Sequence, residues 1–133
     1  MADIAPDSGV AALALARLLA EHKGGDVVVL DVAAQAGWTD RFVIATASSS
    51  THLRGLARSL EDELAHFGLE RLHASSLADD DEWLLVDLGS IVVHVMTERA
   101  RSFYELEKLW FQSPAIRVGP PGPSAEGASG SDR

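Results

Sequence analysis

The sequence predicts an α/β protein in which a mixed β-sheet is flanked by helices. Short runs rich in β-branched residues alternate along the chain with longer segments whose apolar residues recur every three or four positions. Two of the short runs also lie close enough together to form an antiparallel hairpin, which makes the sheet mixed. The chain has 133 residues, the size of one ordinary domain.

The first predicted helix covers residues 9–22. Asp7 or Ser8 can cap its N-terminus, because their side-chain oxygens accept hydrogen bonds from the first backbone N–H groups. Gly24 and Gly25 are expected to end it, since glycine adopts the left-handed conformation of a helix C-terminus without strain. Its apolar stripe is expected on Val10, Leu13, Ala14, Leu18 and Ala20.

The next segments predict two strands, a long helix and a third strand. Residues 26–32 and 42–47 are apolar at nearly every position, which is typical of strands buried on both faces. The three serines at 48–50 offer N-caps to a helix that ends at Gly68. Its buried face is expected on Leu53, Leu56, Leu60, Leu64 and Phe67. A weaker strand is expected at residues 70–75.

The last third of the domain predicts a hairpin followed by a helix. The runs WLLVDL and IVVHVM are separated only by Gly89 and Ser90, and a two-residue link that contains glycine favours an antiparallel turn. The following segment, from Thr97 to Trp110, is predicted to be one helix with Thr97 as its cap.

The folded domain is expected to comprise residues 1–118. The remaining segment, residues 119–133, contains four Gly, three Pro and three Ser and has no apolar surface to offset the entropy of ordering it. It is therefore predicted to be a disordered tail.

The composition excludes several classes of function. With 11 Lys and Arg against 20 Asp and Glu, the net charge of −9 argues against a protein that grips nucleic acid phosphates or an anionic membrane, and favours a basic protein partner. The absence of cysteine excludes disulfides, Cys-ligated zinc and iron–sulfur clusters. No apolar run reaches the length of about 18 residues that a membrane-spanning helix needs. The N-terminus lacks the basic region of a signal peptide, so we expect a cytoplasmic protein. No two histidines have the i, i+4 spacing of a helical zinc motif and no phosphate-binding glycine motif is present, so we expect neither metal nor cofactor.

A few polar residues are candidates for chemistry. His94 lies in the middle of a predicted strand, where its ring must face solvent or find a hydrogen-bond partner, and Asp87 on the preceding strand is the expected partner. Asp31, Asp40 and Asp87 lie at or near strand ends, where α/β sheets often place ligand sites. An enzyme that uses these carboxylates for acid–base chemistry therefore stays an alternative.

Aromatic residues are concentrated near the end of the domain, at Trp83, Phe103, Tyr104, Trp110 and Phe111. In the predicted last helix Phe103, Leu106 and Trp110 share one face, which we expect to pack on the sheet. Tyr104 and Leu109 extend the aromatic and apolar surface beside that face. Because Tyr and Trp are enriched at binding hot spots, both burial and contact with a partner stay open for this helix.

Four segments, DVVVLDV, TDRFVIATASSS, WLLVDLGSIVVHVM and RSFYELEKLW, together resemble the ribosomal silencing factor (Iojap) family across residues 26–110. The resemblance implies a mixed α/β sandwich related to nucleotidyltransferases but without their catalytic signature. Gly89 and Ser90 lead straight into an apolar strand and supply no metal carboxylates. The resemblance therefore implies a binding protein and not an enzyme.

The resemblance also implies a partner. Proteins of this family dock on the universal ribosomal protein uL-fourteen of the large ribosomal subunit, obstruct joining of the small subunit when nutrients are short, and take part in late large-subunit assembly. Many are homodimers. A purely structural homo-oligomer is a third hypothesis.

The docking face is expected to use a subset of the positions that match the family motifs. They are Thr39, Asp40, Trp83, Asp87, Gly89, His94, Tyr104, Glu107, Lys108, Leu109 and Trp110. The chain departs from the family at Ser90, where an acidic residue is usual, and at residues 46–49, where a Thr-Gly-Thr-Ser turn is common.

Overall fold

The structure, a computed structural model, describes residues 8–68, 73–76, 82–105, 108, 110 and 112–119. The helices in this part of the chain are α1 (Ser8–Glu21), α2 (Ala33–Ala36), α3 (Ser50–Phe67) and α4 (Glu98–Tyr104). The strands are β1 (Gly25–Asp31), β2 (Arg41–Ala47), β3 (His73–Ser76), β4 (Trp83–Asp87), β5 (Ile91–Thr97) and β6 (Ala115–Val118).

The six strands form one mixed sheet in the order β3-β4-β5-β2-β1-β6. Strands β2 and β5 are parallel, in a register that pairs Arg41 with Ile91 and Ala47 with Thr97. The other neighbouring strands are antiparallel. The predicted hairpin is confirmed as β4–β5, and Gly89 takes the positive φ of 89° that its turn requires.

Helices cover both faces of the sheet, as predicted. On one face α1 and α3 pack on β2 and the strands beside it, over a core that includes Val27 and Val29 of β1. On the other face Ala36 of α2 and Ala100 of α4 join a core that includes Val28 and Leu30 of the same strand. This arrangement explains why β1 reads as a continuous apolar run, since successive side chains enter different cores.

Helix α3 forms as its sequence predicts. The Ser49 hydroxyl accepts a hydrogen bond from the His52 backbone N–H at 3.0 Å, and Gly68 ends the helix with a φ of 69°. The four predicted leucines are buried, and Phe67 is half-buried.

Helix α1 begins and ends within one residue of its predicted bounds but buries another face than expected. The buried residues are Ala11, Ala12, Leu15, Ala16, Leu19 and Ala20, whereas Val10 is 60% exposed. Of the predicted stripe, only Ala20 is buried. The helix is apolar on nearly every side, so the periodicity of its sequence does not predict which face is buried. The buried face contains four alanines, whose small side chains allow the helix to approach α3 and the sheet closely.

The end of α1 also differs from the prediction. Neither Gly24 nor Gly25 is left-handed, and Lys23 takes the positive φ of 72° instead. Gly24 is needed for another reason, because a Cβ there would lie 2.8 Å from the carbonyl oxygen of Leu19. Close approach of the backbone, and not a positive φ, therefore explains this glycine.

The predicted last helix is too long. Thr97 caps it as expected, accepting a hydrogen bond from the Ala100 N–H at 3.3 Å, but α4 ends at Tyr104. Glu105 follows with a φ of 49°, and its N–H donates to the Arg101 carbonyl at 2.9 Å. A left-handed residue ends a helix, so the regular spacing predicted up to Trp110 is broken here.

The expected core position of Phe103 is wrong, since its side chain is 78% exposed. Ala100 and Arg101 face the sheet instead. The Arg101 guanidinium donates through Nη1 to the Asp26 carbonyl at 2.6 Å and to Thr46 Oγ1 at 2.8 Å, which sets the rotation of α4 on the sheet. Leu106, the next residue of the predicted stripe, lies outside the described residues.

The shortest elements are the least well predicted. The strand expected at 70–75 is found at His73–Ser76, next to positions 69–72 that lie outside the described range. Helix α2 and strand β6 are not predicted at all, because each has four residues and little or no buried apolar surface. Among the helices described, none has the length and apolar character needed to cross a membrane.

Candidate functional site

The three tryptophans of the chain, Trp38, Trp83 and Trp110, pack around two buried rings on one face of the sheet. The buried rings are Phe42 and His94, whose centroids lie 4.8 Å apart in an edge-to-face arrangement. Trp110 lies 5.1 Å and Trp38 6.0 Å from Phe42, and Trp83 lies 5.9 Å from His94. We call these five residues the tryptophan patch.

The sheet topology brings the buried rings together. Because β2 and β5 are parallel neighbours, His94 lies opposite Ile44, two residues from Phe42 on the same face. In the hairpin His94 lies opposite Leu85, and Trp83 precedes Leu85 by two residues on β4. The two strand pairings therefore place Phe42, His94 and Trp83 on a diagonal across one face of the sheet.

The other two tryptophans come from connecting segments. Trp38 follows α2, which ends at Gly37 with a φ of 78°. Trp110 lies in a turn six residues after the end of α4, where its carbonyl accepts from the Ser113 N–H at 2.9 Å. The Ser113 hydroxyl in turn donates to the side-chain oxygen of Gln35, which connects this turn to α2.

The patch combines a buried base with accessible indoles. Phe42 is 3% and His94 4% exposed, whereas Trp83 and Trp110 are half-buried and Trp38 is 62% exposed. Exposed aromatic surface of this kind on a rigid base is typical of interaction surfaces.

The hydrogen-bond partner of His94 is another residue than predicted. The Trp83 indole Nε1–H donates to His94 Nδ1 at 3.1 Å. The Asp87 carboxylate instead accepts from the Gly89 backbone N–H at 2.9 Å and so stabilises the hairpin turn. Burial lowers the pKa of His94 to about 4, so the ring is neutral near pH 7. Since Nδ1 accepts, the proton is on Nε2, which is buried and has no hydrogen-bond partner among the described residues.

The sequence and the fold agree with a known family. The family model described as "ribosomal silencing factor during starvation" matches residues 5–132. The chain belongs to the ribosomal silencing factor family. The resemblance noted in the four sequence segments is thereby confirmed.

The relatives of this chain match about three quarters of its length. The Treponema pallidum protein named ribosomal silencing factor RsfS is 40% identical over 101 residues, 75% of this chain and 89% of that one. A mouse protein named mitochondrial assembly of ribosomal large subunit protein 1 is 36% identical over 98 residues, 72% of this chain and 43% of that protein. A crystal structure of a Chromobacterium violaceum protein superposes with a TM-score of 0.74 at 30% identity, covering 89% of this chain and 98% of that one.

Other motif residues of this family member lie away from the patch or beside it. Asp40 is exposed, two residues after Trp38, and its carboxylate accepts from the Ser8 hydroxyl at 3.4 Å. Lys108 forms an ion pair with Glu105 at 3.4 Å and lines an open pocket of about 310 Å³ under α4. The Tyr104 side chain, Glu107 and Leu109 lie outside the described residues.

The carboxylates named for an enzyme are engaged in separate local contacts. Asp31 forms an ion pair with Arg41 at 3.5 Å and accepts from the Ala33 N–H at 3.3 Å. Asp87 accepts from the Gly89 N–H in the hairpin turn. Within the described ranges, no three or more His, Cys, Asp or Glu side chains are grouped so that they could hold a metal ion.

Sequence reasoning missed Trp38 and Phe42 as members of the site. Trp38 lies in a short connector without periodicity, and Phe42 reads simply as an apolar strand residue. The available signal was the rarity of tryptophan, because an indole in a polar connector such as QAGWTD has no core to enter.

Proposed function

We propose that this protein binds the large ribosomal subunit and lowers translation by obstructing joining of the small subunit, and that the tryptophan patch is its docking face. The observation that carries this proposal is the collection of all three tryptophans on one face of a chain that belongs to the ribosomal silencing factor family. The proposal places the protein in the cytoplasm, where it meets ribosomal subunits.

The physical basis of docking is desolvation of aromatic surface. Tryptophan is enriched among residues that dominate binding energy, because it buries a large area with few rotatable bonds. Trp38 is exposed in the free protein. The buried Phe42 ring packs against Trp38 and Trp110, and the buried His94 ring packs against Trp83. A surface arranged before binding loses little side-chain entropy when the partner arrives.

The partner is proposed to be a basic protein surface of the subunit, ribosomal protein uL-fourteen. The net charge of −9 favours association with a basic surface and disfavours direct contact with rRNA phosphates. Asp40, which is exposed and lies two residues from both Trp38 and Phe42, adds negative charge to the margin of the patch.

The remaining motif residues are assigned as follows. Asp40, Trp83 and Trp110 are proposed to contact the partner directly, and His94 and Asp87 to support the patch and the hairpin. Tyr104, Glu107, Lys108 and Leu109 are proposed as further contacts because they match the family motif that ends at Trp110. The name of the mouse relative, assembly of the ribosomal large subunit, supports a second role for this chain in large-subunit assembly.

Sedimentation of the protein with isolated ribosomal subunits tests the proposal. We expect co-migration with the large subunit and not with the small one, and loss of about tenfold or more in affinity for Trp38→Ala and Trp83→Ala. Ile116→Ala is the matched control, because this residue is also apolar and 58% exposed but lies on β6, away from the patch. Absence of co-migration, or equal losses for all three variants, would contradict the proposal.

Calorimetry with magnesium and a nucleoside triphosphate tests the enzyme alternative. Tight metal-dependent nucleotide binding that Asp87→Asn abolishes would favour a nucleotidyltransferase-like enzyme. Self-association without affinity for either subunit would favour the structural homo-oligomer, whereas a homodimer that binds the large subunit is compatible with the proposal.

A further inference from the structure

We infer that His94 is a positioning residue for docking: its ring accepts the Trp83 indole N–H and holds that indole in the orientation that the partner recognises. This inference rests on the proposed docking function of the tryptophan patch. It assigns to His94 an indirect role, because the partner touches Trp83 and not the histidine.

The geometry supports the indirect role. The Trp83 Nε1–H to His94 Nδ1 hydrogen bond of 3.1 Å joins neighbouring strands of the hairpin. Phe42 packs edge-to-face on the histidine from β2, with 4.8 Å between ring centroids. The histidine ring is therefore held by both neighbouring strands, and the indole is held by the histidine.

Burial excludes direct contact of His94 with a partner. The residue is 4% exposed, whereas Trp83 at the other end of the hydrogen bond is half-buried and reaches the surface. A large ring that is half in contact with solvent can adopt several rotamers unless something fixes it. The hydrogen bond to Nδ1 selects the rotamer in which the indole N–H points inward.

The histidine carries a cost that a purely structural residue would avoid. Its Nε2–H is buried without an acceptor in the described part of the chain, and such unsatisfied donors are destabilising. A phenylalanine would fill this space without an unsatisfied donor. The benefit of the imidazole therefore lies in its Nδ1 acceptor.

Two substitutions at this position separate the acceptor from the packing. His94→Phe keeps a ring and removes the acceptor, whereas His94→Asn loses the ring but can place an oxygen near the position of Nδ1. Met96→Leu is the matched control, a volume-conserving change two residues along the same strand in the same core. Affinity for the isolated large subunit and the thermal unfolding midpoint are measured for each variant.

We expect His94→Phe to weaken docking about tenfold or more without lowering the unfolding midpoint, because it removes an unsatisfied donor as well as the acceptor. His94→Asn should lower the midpoint through its lost packing, yet dock more tightly than His94→Phe. Met96→Leu should change neither quantity appreciably. Docking of His94→Phe at wild-type affinity, or losses that simply follow the unfolding midpoint in both variants, would overturn the inference.

Proton NMR of the free protein provides a readout independent of the ribosome. The Trp83 indole N–H, assigned by its loss in Trp83→Phe, should exchange with solvent more slowly than that of Trp38, and should exchange faster in His94→Phe. Fast exchange of the Trp83 indole in the wild type would overturn the inference. If the wild type shows slow exchange but does not bind large subunits, the proposed function fails while the positioning of Trp83 by His94 stands.

Discussion

The protonation state of His94 links the folding of this domain to pH. Burial lowers the pKa of this histidine from 6.5 to about 4, so the unfolded chain binds a proton more readily than the folded one between these values. The contribution to stability is therefore complete above about pH 6.5 and is lost as the pH falls toward about 4.

We expect the wild-type protein to lose about 2 kcal/mol of unfolding free energy through His94 between about pH 7.5 and pH 5. Urea unfolding at the two pH values measures this loss. His94→Phe provides the reference, since every carboxylate and every other histidine is unchanged in it. Equal losses in the two proteins would show that His94 does not titrate differently on folding.

Phenylalanine substitutions test the corrected rotation of α4. Phe42 is 3% exposed in the core, and Phe42→Ala is expected to cost about 3–5 kcal/mol of unfolding free energy. Phe103 is 78% exposed, so Phe103→Ala should cost less than about 1 kcal/mol. Denaturant unfolding of both variants checks the difference. A large loss from Phe103→Ala would restore the original prediction that this residue is in the core.

At the scale of elements, two glycines differ in whether the surrounding structure has room for a side chain. Gly24 lies where α1 turns into β1, and a Cβ there would meet the Leu19 carbonyl oxygen at 2.8 Å. Gly55 lies inside α3, and a Cβ there would have no neighbour within 4 Å. The same substitution should therefore act in opposite directions at the two positions.

Gly24→Ala is expected to destabilise the protein by about 1–3 kcal/mol, because a backbone atom must move to admit the methyl group. Gly55→Ala is expected to stabilise it by up to about 1 kcal/mol, the difference in helix propensity between the two residues. Thermal unfolding of both variants measures the effects. Stabilisation by Gly24→Ala would show that α1 and β1 can separate at little cost.

At the scale of the whole molecule, the last strand among the described residues decides how far the chain can be shortened without loss of sheet pairing. Strand β6 ends at Val118 and pairs with β1, so the domain needs the chain up to this point. The Gly-, Pro- and Ser-rich composition of residues 119–133 offers neither an apolar surface nor a basic cluster for docking.

Deletion of residues 119–133 is expected to leave affinity for the large subunit unchanged within a factor of about ten, or about 1.4 kcal/mol. The truncated protein should also unfold at the wild-type temperature. Sedimentation with isolated subunits and thermal unfolding measure the two quantities. A larger loss of affinity at unchanged stability would show that the tail takes part in docking.

The sequence alone determined the elements whose signals are local. The serine cap, the leucine face and the final glycine of α3 lie within one segment, and the hairpin needs only two β-rich runs joined by Gly89 and Ser90. The four family motifs are equally local. These features follow from the preferences of neighbouring residues for particular backbone conformations.

Which faces are buried and which residues meet depends on contacts between distant parts of the chain. The face of α1 depends on its contacts with α3 and β2, and the rotation of α4 depends on Arg101 reaching Asp26, 75 positions away. Trp38, Trp83 and Trp110 come together because β2 pairs with β5 and two connectors fold over that pairing. Such contacts join residues far apart in the chain, and no local pattern encodes them, because their free energy arises only when the whole sheet has formed.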